Sequence, residues 1–295
     1  MGGTSFFSRL STVGLLAPPL LLLLVFFVAP LGYLLFVSFM SNSMSELFDF
    51  VPTLENYAII FTDPFYHMIV MRTLLSTGVV LLACFLIGYP VAYLAAQMTA
   101  RGRIMILMAM MLPLMVSNVV RAYGWVAILG RQGIVSQSLQ NAGLADRPQS
   151  FLYDFNAVTL GLLTILLPFM VVTLTNSLTT IDIRYREAAA SLGASPWRSF
   201  LRVTLPLSSP GIASGLMLVT FLTLSAYVTI ALLGGPRYKL LVSFVFDSVS
   251  SFRWPRAAAF AFTLLLLALI ISAAIQLIVR PGRVQGRNRN RKSKA

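Results

Sequence analysis

The residues of this sequence that could perform chemistry are few and widely separated. The chain has one histidine, His67, and one cysteine, Cys84. His67 lies at the edge of a long apolar segment, Cys84 lies inside one, and no Asp or Glu falls clearly within such a segment. An intramembrane serine protease needs a serine with a histidine base, an aspartyl protease needs two carboxylates in the membrane, and a metalloprotease needs a histidine pair. The sequence offers none of these sites, and a single cysteine excludes a disulfide framework. We therefore expect a protein that is not an enzyme.

The composition is that of a membrane protein. Of 295 residues, 58% are hydrophobic and only 11% are charged, and the mean hydropathy is +0.84. Soluble domains of this length do not have such a composition. A helix needs about 20 apolar residues to cross the hydrocarbon core. Six segments meet that requirement and predict an all-α polytopic membrane protein with six transmembrane helices: 15–40, 68–98, 104–129, 157–178, 211–233 and 257–279.

The first segment and three prolines refine this prediction. We interpret 15–40 as an uncleaved span, because its apolar run is longer than that of a signal peptide and no small-residue cleavage site follows it. Pro90, Pro113 and Pro168 lie inside predicted spans. Neighbouring helices can satisfy the carbonyl groups that proline frees. We therefore expect kinks at these prolines within a helix bundle.

The distribution of charge predicts the orientation of the chain. Six spans place both termini on one side, and that side carries most of the 22 Lys and Arg residues but only Asp182 and Glu187 among the acids. By the positive-inside rule, both termini are cytoplasmic, namely 1–14 and the basic tail 280–295. The net charge of +13 does not indicate a nucleic-acid-binding module, because the basic residues form no face on a soluble domain. We expect the tail to be attracted to anionic lipid headgroups; RNA binding is the alternative.

One polar segment, 182–210, interrupts the second half of the chain, and we call it the knob. Ile183, Ala188, Ala189 and Leu192 fall on one side of a short predicted helix, which Gly193 can end in a left-handed conformation. Ser195 and Pro196 together are typical of the start of a second helix. Trp197, Phe200 and Leu201 would share one face of that helix, and we expect Leu205 and Pro206 to stop it.

The knob carries a family resemblance. Its sequence is similar to the E-A-A, three residues, G, nine residues, I-x-L-P signature of bacterial ABC importer permeases of the binding-protein-dependent type, with Val203 where isoleucine is usual. In that family, this loop is a coupling helix that docks in a cleft of the cytoplasmic ATPase. The alternative is an amphipathic loop on the membrane surface. The positions that match are Glu187, Ala188, Ala189, Gly193, Val203, Leu205 and Pro206.

Three further segments, 121–144, 166–174 and 226–241, resemble permeases of the spermidine/putrescine importer type. The resemblance implies a type I ABC importer permease fold, comprising residues 15–279, in a bacterial inner membrane. It also implies a second related permease, two ATPase subunits, an extracytoplasmic solute-binding protein, and alternating access that moves a polyamine. Relatives with ferric iron, thiamine, opine or aminophosphonate substrates share much of this pattern, so those substrates remain alternatives, as does a homodimer of permeases.

The same resemblance assigns roles to residues. It implies no cofactor in this chain, and since no G-x-x-x-x-G-K-[ST] run occurs, ATP would be hydrolysed by the partner. Candidate residues for the substrate path are Phe221, Tyr227 and Asp247, since aromatic faces and carboxylates attract cations; ordinary packing and an outer-loop position are the alternatives. The candidate coupling residues are Glu187, Ala188, Ala189, Gly193, Trp197, Phe200, Leu205 and Pro206.

A secondary carrier is the competing class of function. Such carriers keep ionisable groups at mid-membrane for ion coupling. In this sequence, Arg121, near the outer end of the third predicted span, is the one plausible exception. We expect Arg121 to reach the interface or make a structural contact rather than line a vestibule.

Overall fold

The computed structural model describes residues 17–43 and 46–279, and nearly all of them lie in helices. The predicted N-terminal segment 1–14 and basic tail 280–295 lie outside the described residues. By its internal contacts the chain divides into two units. Among the described residues, the first unit contains those within 17–69 and 241–265, and the second contains those within 70–240 and 266–279.

The described part of the chain consists of helices and a small sheet. A two-stranded antiparallel sheet, β1 (Met40–Ser41) and β2 (Asp49–Pro52), interrupts the helices near the start of the chain. The helices in chain order are α1 (Ala17–Ser38), α2 (Glu55–Thr62), α3 (Pro64–Gln97), α4 (Ala100–Met111), α5 (Asn118–Leu129), α6 (Ile134–Asn141), α7 (Phe155–Thr179), α8 (Arg184–Ser191), α9 (Pro196–Leu207), α10 (Ser209–Ser225), α11 (Tyr227–Gly234), α12 (Leu241–Ser250) and α13 (Trp254–Ile278).

Four helices, α1, α3, α7 and α13, are long and apolar enough to cross a membrane unaided. Two pairs of consecutive helices, each bent at a short break, bring the number of candidate spans to six if each pair counts as one span. The pairs are Ala100–Met115 with Asn118–Asn141, and Pro196–Leu207 with Ser209–Ser225. The prediction of an all-α membrane protein is confirmed. The third predicted span, however, is not one helix: a 3₁₀ turn at Leu112–Met115 follows α4, and an 88° bend then separates Ala100–Met115 from Asn118–Asn141. The fifth predicted span is also interrupted, because α10 ends at Ser225 and α11 begins at Tyr227.

Prolines shape these helices in three ways. Pro113 lies in the 3₁₀ turn beside the 88° bend, as expected for a proline that breaks the hydrogen-bond ladder. Helices α3 and α7 run on through Pro90 and Pro168. Two other prolines come two positions after the end of a π-helical segment. Pro30 follows Leu24–Val28, and Pro206 follows Phe200–Thr204. A widened turn accommodates a residue that cannot donate to the carbonyl four positions back.

The prediction that Leu205 and Pro206 stop the second knob helix was therefore wrong. Helix α9 continues through both residues to Leu207, and the chain turns by 63° where α10 begins at Ser209. Widening the preceding turn relieves the clash that would otherwise end the helix at the proline.

In the second unit, small residues let helices approach closely. Gly211 and Gly215, one turn apart on α10, face α7. A Cβ on Gly215 would lie 2.8 Å from the Met170 sulfur, and a Cβ on Gly211 would collide with the Ser177 side chain. This G-x-x-x-G spacing is the arrangement by which membrane helices pack at short distance. Met170, Leu174 and Val219 are fully buried beside it, so α7 and α10 form the centre of the unit.

In the first unit, a buried amide fastens the segment after α1. The Nδ2 of Asn56 on α2 donates to the carbonyl oxygens of Ser38 (3.3 Å) and Met40 (2.9 Å). Its Oδ1 accepts from Asn42 at 2.8 Å. Val37, Met40 and Phe48 form a small core against Trp254. The segment between α1 and α3 thus holds the short helix α2 together with the β pair.

Candidate functional site

The knob folds into two helices, α8 and α9, joined by a tight turn. The turn satisfies the free carbonyls at the end of α8 by a Schellman motif. The N–H of Gly193 donates to Ala190 O (2.9 Å), and the N–H of Ala194 donates to Ala189 O (3.0 Å). Gly193 has a φ of +76°, in the left-handed region that favours glycine. The sequence prediction for Gly193 is confirmed.

The second knob helix begins as its sequence predicts. The Ser195 hydroxyl accepts from the N–H of Arg198 at 3.4 Å, and Pro196 occupies the first helical position. One turn later, the rings of Trp197 and Phe200 stack, with centroids 5.5 Å apart and planes inclined by 19°. The short turn and the capped start hold α9 against α8 in a fixed direction, so the ring stack has a defined position.

Several large apolar side chains of the knob are exposed. Trp197 is 68% exposed and Leu192 at the turn is 88% exposed. Ile183, Tyr185 and Leu201 are also exposed on the same two helices. Isolated apolar side chains are ordinary on a protein surface, and their number on this short polar segment makes them a candidate binding surface. We call Ile183, Tyr185, Leu192, Trp197 and Leu201 the knob surface.

The other candidate coupling residues occupy different positions. Glu187 and Ala188 are exposed and Ala189 is half-buried. Among the described residues, the Glu187 carboxylate has no hydrogen-bond partner, so it is a solvated charge rather than a link across the turn. Leu205 and Pro206 lie away from the knob surface, in an apolar groove that Phe85 of α3 and Ile278 of α13 also line.

A pair of tyrosines supports the knob from the end of α3. The ring of Phe200 packs edge-on against Tyr89 (5.7 Å) and Tyr93 (5.3 Å). A hydrogen bond of 2.8 Å joins Tyr89 OH to Ser208 Oγ. The guanidinium of Arg186 on α8 lies over the Tyr93 ring at 5.5 Å and donates to its hydroxyl at 3.2 Å. Phe200 thus connects the exposed Trp197 to a membrane-spanning helix.

Sequence reasoning missed Tyr89 and Tyr93. Their spacing of four residues puts them on one face of a helix, where two hydroxyl-bearing rings at the end of a span are a recognisable signal. Nothing in the local sequence, however, indicates that this face contacts Phe200, more than a hundred residues later in the chain.

The three candidate substrate-path residues lie on three different helices. Phe221 lies on α10 and is 44% exposed. Tyr227, half-buried, is the first residue of α11. Asp247 is half-buried within α12, a short helix in the connection between the fifth and sixth predicted spans. Phe221 and Tyr227 therefore flank the interruption of the fifth span at Ala226.

Arg121 makes a structural contact. From the first turn of α5, its Nη2 donates to Val116 O at 2.9 Å and to the carbonyl oxygen of Pro113. The Pro113 oxygen also accepts from the N–H of Val116 at 3.2 Å, so the guanidinium adds a further donor where the third span is broken. Trp125 on the next turn donates to Thr164 Oγ1 at 3.2 Å. The structural role expected for Arg121 is confirmed.

Similarity to known proteins extends along the chain. The family described as binding-protein-dependent transport system inner membrane component matches residues 4–282. The spermidine/putrescine transport system permease protein PotB of Haemophilus influenzae is 36% identical over 252 residues, which covers 84% of this chain and 87% of that protein. PotB of Salmonella typhimurium strain SL1344 is 31% identical over 243 residues, covering 82% of this chain and 84% of its own.

A solved structure shares the fold. The crystal structure of a bacterial alginate ABC transporter, in complex with an alginate pentasaccharide-bound periplasmic protein, contains a chain that superposes with a TM-score of 0.75. Its identity is 21%, and the match covers 92% of this chain and 95% of that one. The fold is therefore that of an ABC importer permease.

Proposed function

This chain belongs to the family of binding-protein-dependent transport system inner membrane components, and from that premise we propose that it forms the membrane path of an ATP-driven importer for polyamines such as spermidine and putrescine. It is a transport protein, not an enzyme, and a multi-pass protein of the inner membrane. The assignment of polyamines as the substrate rests on the similarity to spermidine/putrescine permeases over more than four-fifths of the chain. Thiamine, ferric iron, opine and aminophosphonate are the substrates that a test must separate from polyamines.

An importer permease of this family works with an ATPase that hydrolyses ATP and with an extracytoplasmic binding protein. We propose in addition that a second, related permease pairs with this chain and that two ATPase subunits bind on the cytoplasmic side. Both termini and the knob face the cytoplasm in this arrangement, which is the orientation that the basic residues favour.

The knob surface is the proposed contact with the ATPase. Its exposed aromatic and aliphatic side chains can fill a cleft on a partner, and such anchors supply most of the free energy in an interface. The support beneath it gives the contact a mechanical consequence. Trp197 stacks on Phe200, and Phe200 packs against Tyr89 and Tyr93 on α3. A displacement of the docked knob is thus passed to a span without a flexible linker.

Alternating access follows from that connection. ATP binding closes the ATPase dimer, the docked knobs move with it, and the two permeases rock so that the substrate cavity opens toward the binding protein. ATP hydrolysis reverses the movement. Glu187, Ala188, Ala189 and Gly193 shape the knob in this scheme, and Leu205 and Pro206 join it to the span that follows.

Phe221, Tyr227 and Asp247 are the proposed contacts with substrate. An aromatic face attracts an ammonium group by about 0.5–2 kcal/mol, and a carboxylate adds a charge of opposite sign. Asp247→Asn is expected to weaken spermidine uptake, whereas Asp146→Asn, at an exposed site on a connection, is the matched control. Unchanged uptake kinetics in Asp247→Asn would remove that residue from the path.

The test of the whole proposal is purification of the tagged chain from its native membranes under mild conditions, followed by identification of the proteins and small molecules that accompany it. Recovery of an ATPase, a second permease and a binding protein loaded with a polyamine is the expected result. A chain that purifies alone and stable contradicts the importer, and a binding protein loaded with another substrate contradicts the polyamine.

A further inference from the structure

A second feature of the knob is a cleft next to the knob surface, and Ile183 of that surface is among the residues that line it. This cleft of about 290 Å³ opens between the ends of α3 and α7, the start of α4, and the two knob helices. Two arginines line it, Arg103 from α4 and Arg186 from α8, and no Asp or Glu is among the described residues that line it. We call it the basic cleft.

No group in the described part of the chain neutralises the arginines of the basic cleft. Among the described residues, neither guanidinium forms an ion pair. The Arg186 side chain donates one hydrogen bond, to Tyr93 OH, and the Arg103 side chain has no hydrogen-bond partner in the same part of the chain. Two half-buried cations facing one cavity repel each other, so an anion between them stabilises the arrangement.

A third group in the basic cleft points to the same chemistry. Thr204, which also lines the cleft, is only 3% exposed. Its Oγ1 is buried and has no hydrogen-bond partner among the described residues. A buried hydroxyl without a partner is costly and is usually explained by a ligand or a water molecule. A group with several acceptor oxygens would satisfy this hydroxyl and both guanidinium groups together.

The position of the basic cleft selects the source of that anion. Gln97 and Thr179, the last residues of two membrane-spanning helices, lie in its wall. The cleft is therefore at the depth where the hydrocarbon ends and the lipid headgroups begin. Arginine matches phosphate oxygens with paired hydrogen bonds, and anionic lipids are drawn to basic sites on the cytoplasmic face.

We propose that the basic cleft binds the phosphate group of an anionic phospholipid. Because Arg186 belongs to the knob and Arg103 to a membrane helix, the bound phosphate ties the knob to the membrane-embedded part of the same unit. The bound anionic lipid then stabilises the knob in its present position against the ends of α3 and α7. Binding does not depend on which substrate the chain transports, so this inference and the proposed function can fail separately.

The test is titration of delipidated full-length chain, purified with any associated subunits, with phosphatidylglycerol, followed by native mass spectrometry. The variant that removes both charges is Arg103→Gln with Arg186→Gln. The control, Arg198→Gln with Arg202→Gln, removes two exposed charges from the same knob outside the cleft. We expect phosphatidylglycerol to bind the wild type and the control alike. We expect binding at least roughly tenfold weaker in the cleft variant, as for the loss of charge-assisted hydrogen bonds.

Two single variants guard against a misfolded double variant. Arg103→Gln removes a side chain that has no hydrogen bond to lose in the described part of the chain, and Thr204→Val keeps the shape of the cleft while removing its hydroxyl. Each is expected to weaken phosphatidylglycerol binding without lowering the thermal midpoint of the protein. Equal binding in all variants, or an equal loss in the Arg198/Arg202 control, overturns the proposal.

Competition separates the two sources of phosphate. Phosphatidylcholine, with no net charge, is expected to compete poorly, and inorganic phosphate is expected to leave bound phosphatidylglycerol in place. Displacement of the lipid by inorganic phosphate at millimolar concentration would overturn the lipid as occupant and show a soluble anion in its place.

Discussion

The φ angle of Gly193 is +76°, and no atom lies within 4 Å of where its Cβ would be. Space is therefore available for a side chain, and the restriction comes only from the backbone. Gly193→Val is expected to strain the turn by about 1–2 kcal/mol, since a β-branched residue is disfavoured in the left-handed region. We predict that the complex still assembles but that uptake is uncoupled from ATP hydrolysis, which parallel assays of uptake and ATPase activity measure.

The control for Gly193 is Gly193→Asn, because asparagine tolerates the left-handed conformation. This variant is expected to keep most of the uptake. Normal uptake in Gly193→Val would show that the turn does not need its present conformation and would sink the coupling role of Gly193.

Trp197 and Phe200 stack on each other, but replacing each by alanine is expected to have a different effect. Trp197 is 68% exposed, so Trp197→Ala is expected to change the unfolding free energy by less than about 0.5 kcal/mol while weakening ATPase binding by about 2 kcal/mol. Phe200 packs against Tyr89 and Tyr93, so Phe200→Ala is expected to lower stability by roughly 1–3 kcal/mol. Co-purification of the ATPase and thermal unfolding distinguish the two effects. Equal effects of both variants on ATPase binding and on stability would contradict this division.

The turn and the caps of the knob could be predicted from the sequence because they are local. The roles of Gly193 and Ser195 depend only on backbone conformation within a few residues. The tyrosines beneath Phe200 could not be predicted in the same way. Their contact joins positions 89 and 200, and a single sequence holds no information about which of many helix faces meet.

Among the helices, the packing of α7 on α10 depends on Gly211. A Cβ on Gly211 would collide with the Cβ and Oγ atoms of Ser177, which lie next to the backbone of α7. The two helices must therefore separate to admit even one methyl group. Gly211→Ala is expected to destabilise the second unit by about 1–3 kcal/mol, measured as a lowered thermal midpoint in detergent.

The matched control on another helix is Gly124→Ala. No atom lies within 4 Å of the corresponding Cβ, and alanine favours a helix over glycine by about 1 kcal/mol. This variant is expected to leave the midpoint unchanged or raise it. If Gly211→Ala behaved like Gly124→Ala, close packing of α7 and α10 would not be a source of stability.

Hydropathy located the candidate spans but not their interruptions. An apolar run from 104 to 129 satisfies the length of a membrane helix, yet the chain turns by 88° between Met115 and Asn118. The sequence signal was Pro113, which Arg121 complements by bonding the carbonyl of that residue. The interruption at Ala226 has no proline or glycine at its site, so tertiary packing rather than local preference decides it.

For the molecule as a whole, the basic residues predict an orientation in the membrane that can be tested directly. Cys84 is the one cysteine of the chain and is fully buried, so Cys84→Ala provides a background for reporters. Ser191→Cys on the knob and Ser150→Cys on the connection before α7 are both exposed sites. We predict that a membrane-impermeant maleimide labels position 150 in spheroplasts and position 191 only after lysis. The reverse pattern would place the knob outside, where no ATPase could dock.

Uptake of radiolabelled spermidine is the measurement that tests the central claim most directly. A strain lacking the gene for this chain, and any other polyamine importer, is complemented with the wild type or with Gly193→Val. We predict that the wild type restores energy-dependent uptake, that unlabelled putrescine competes, that thiamine and ferric iron do not, and that Gly193→Val fails to restore uptake. Uptake that is equal with and without the wild-type chain would contradict its assignment as a polyamine permease.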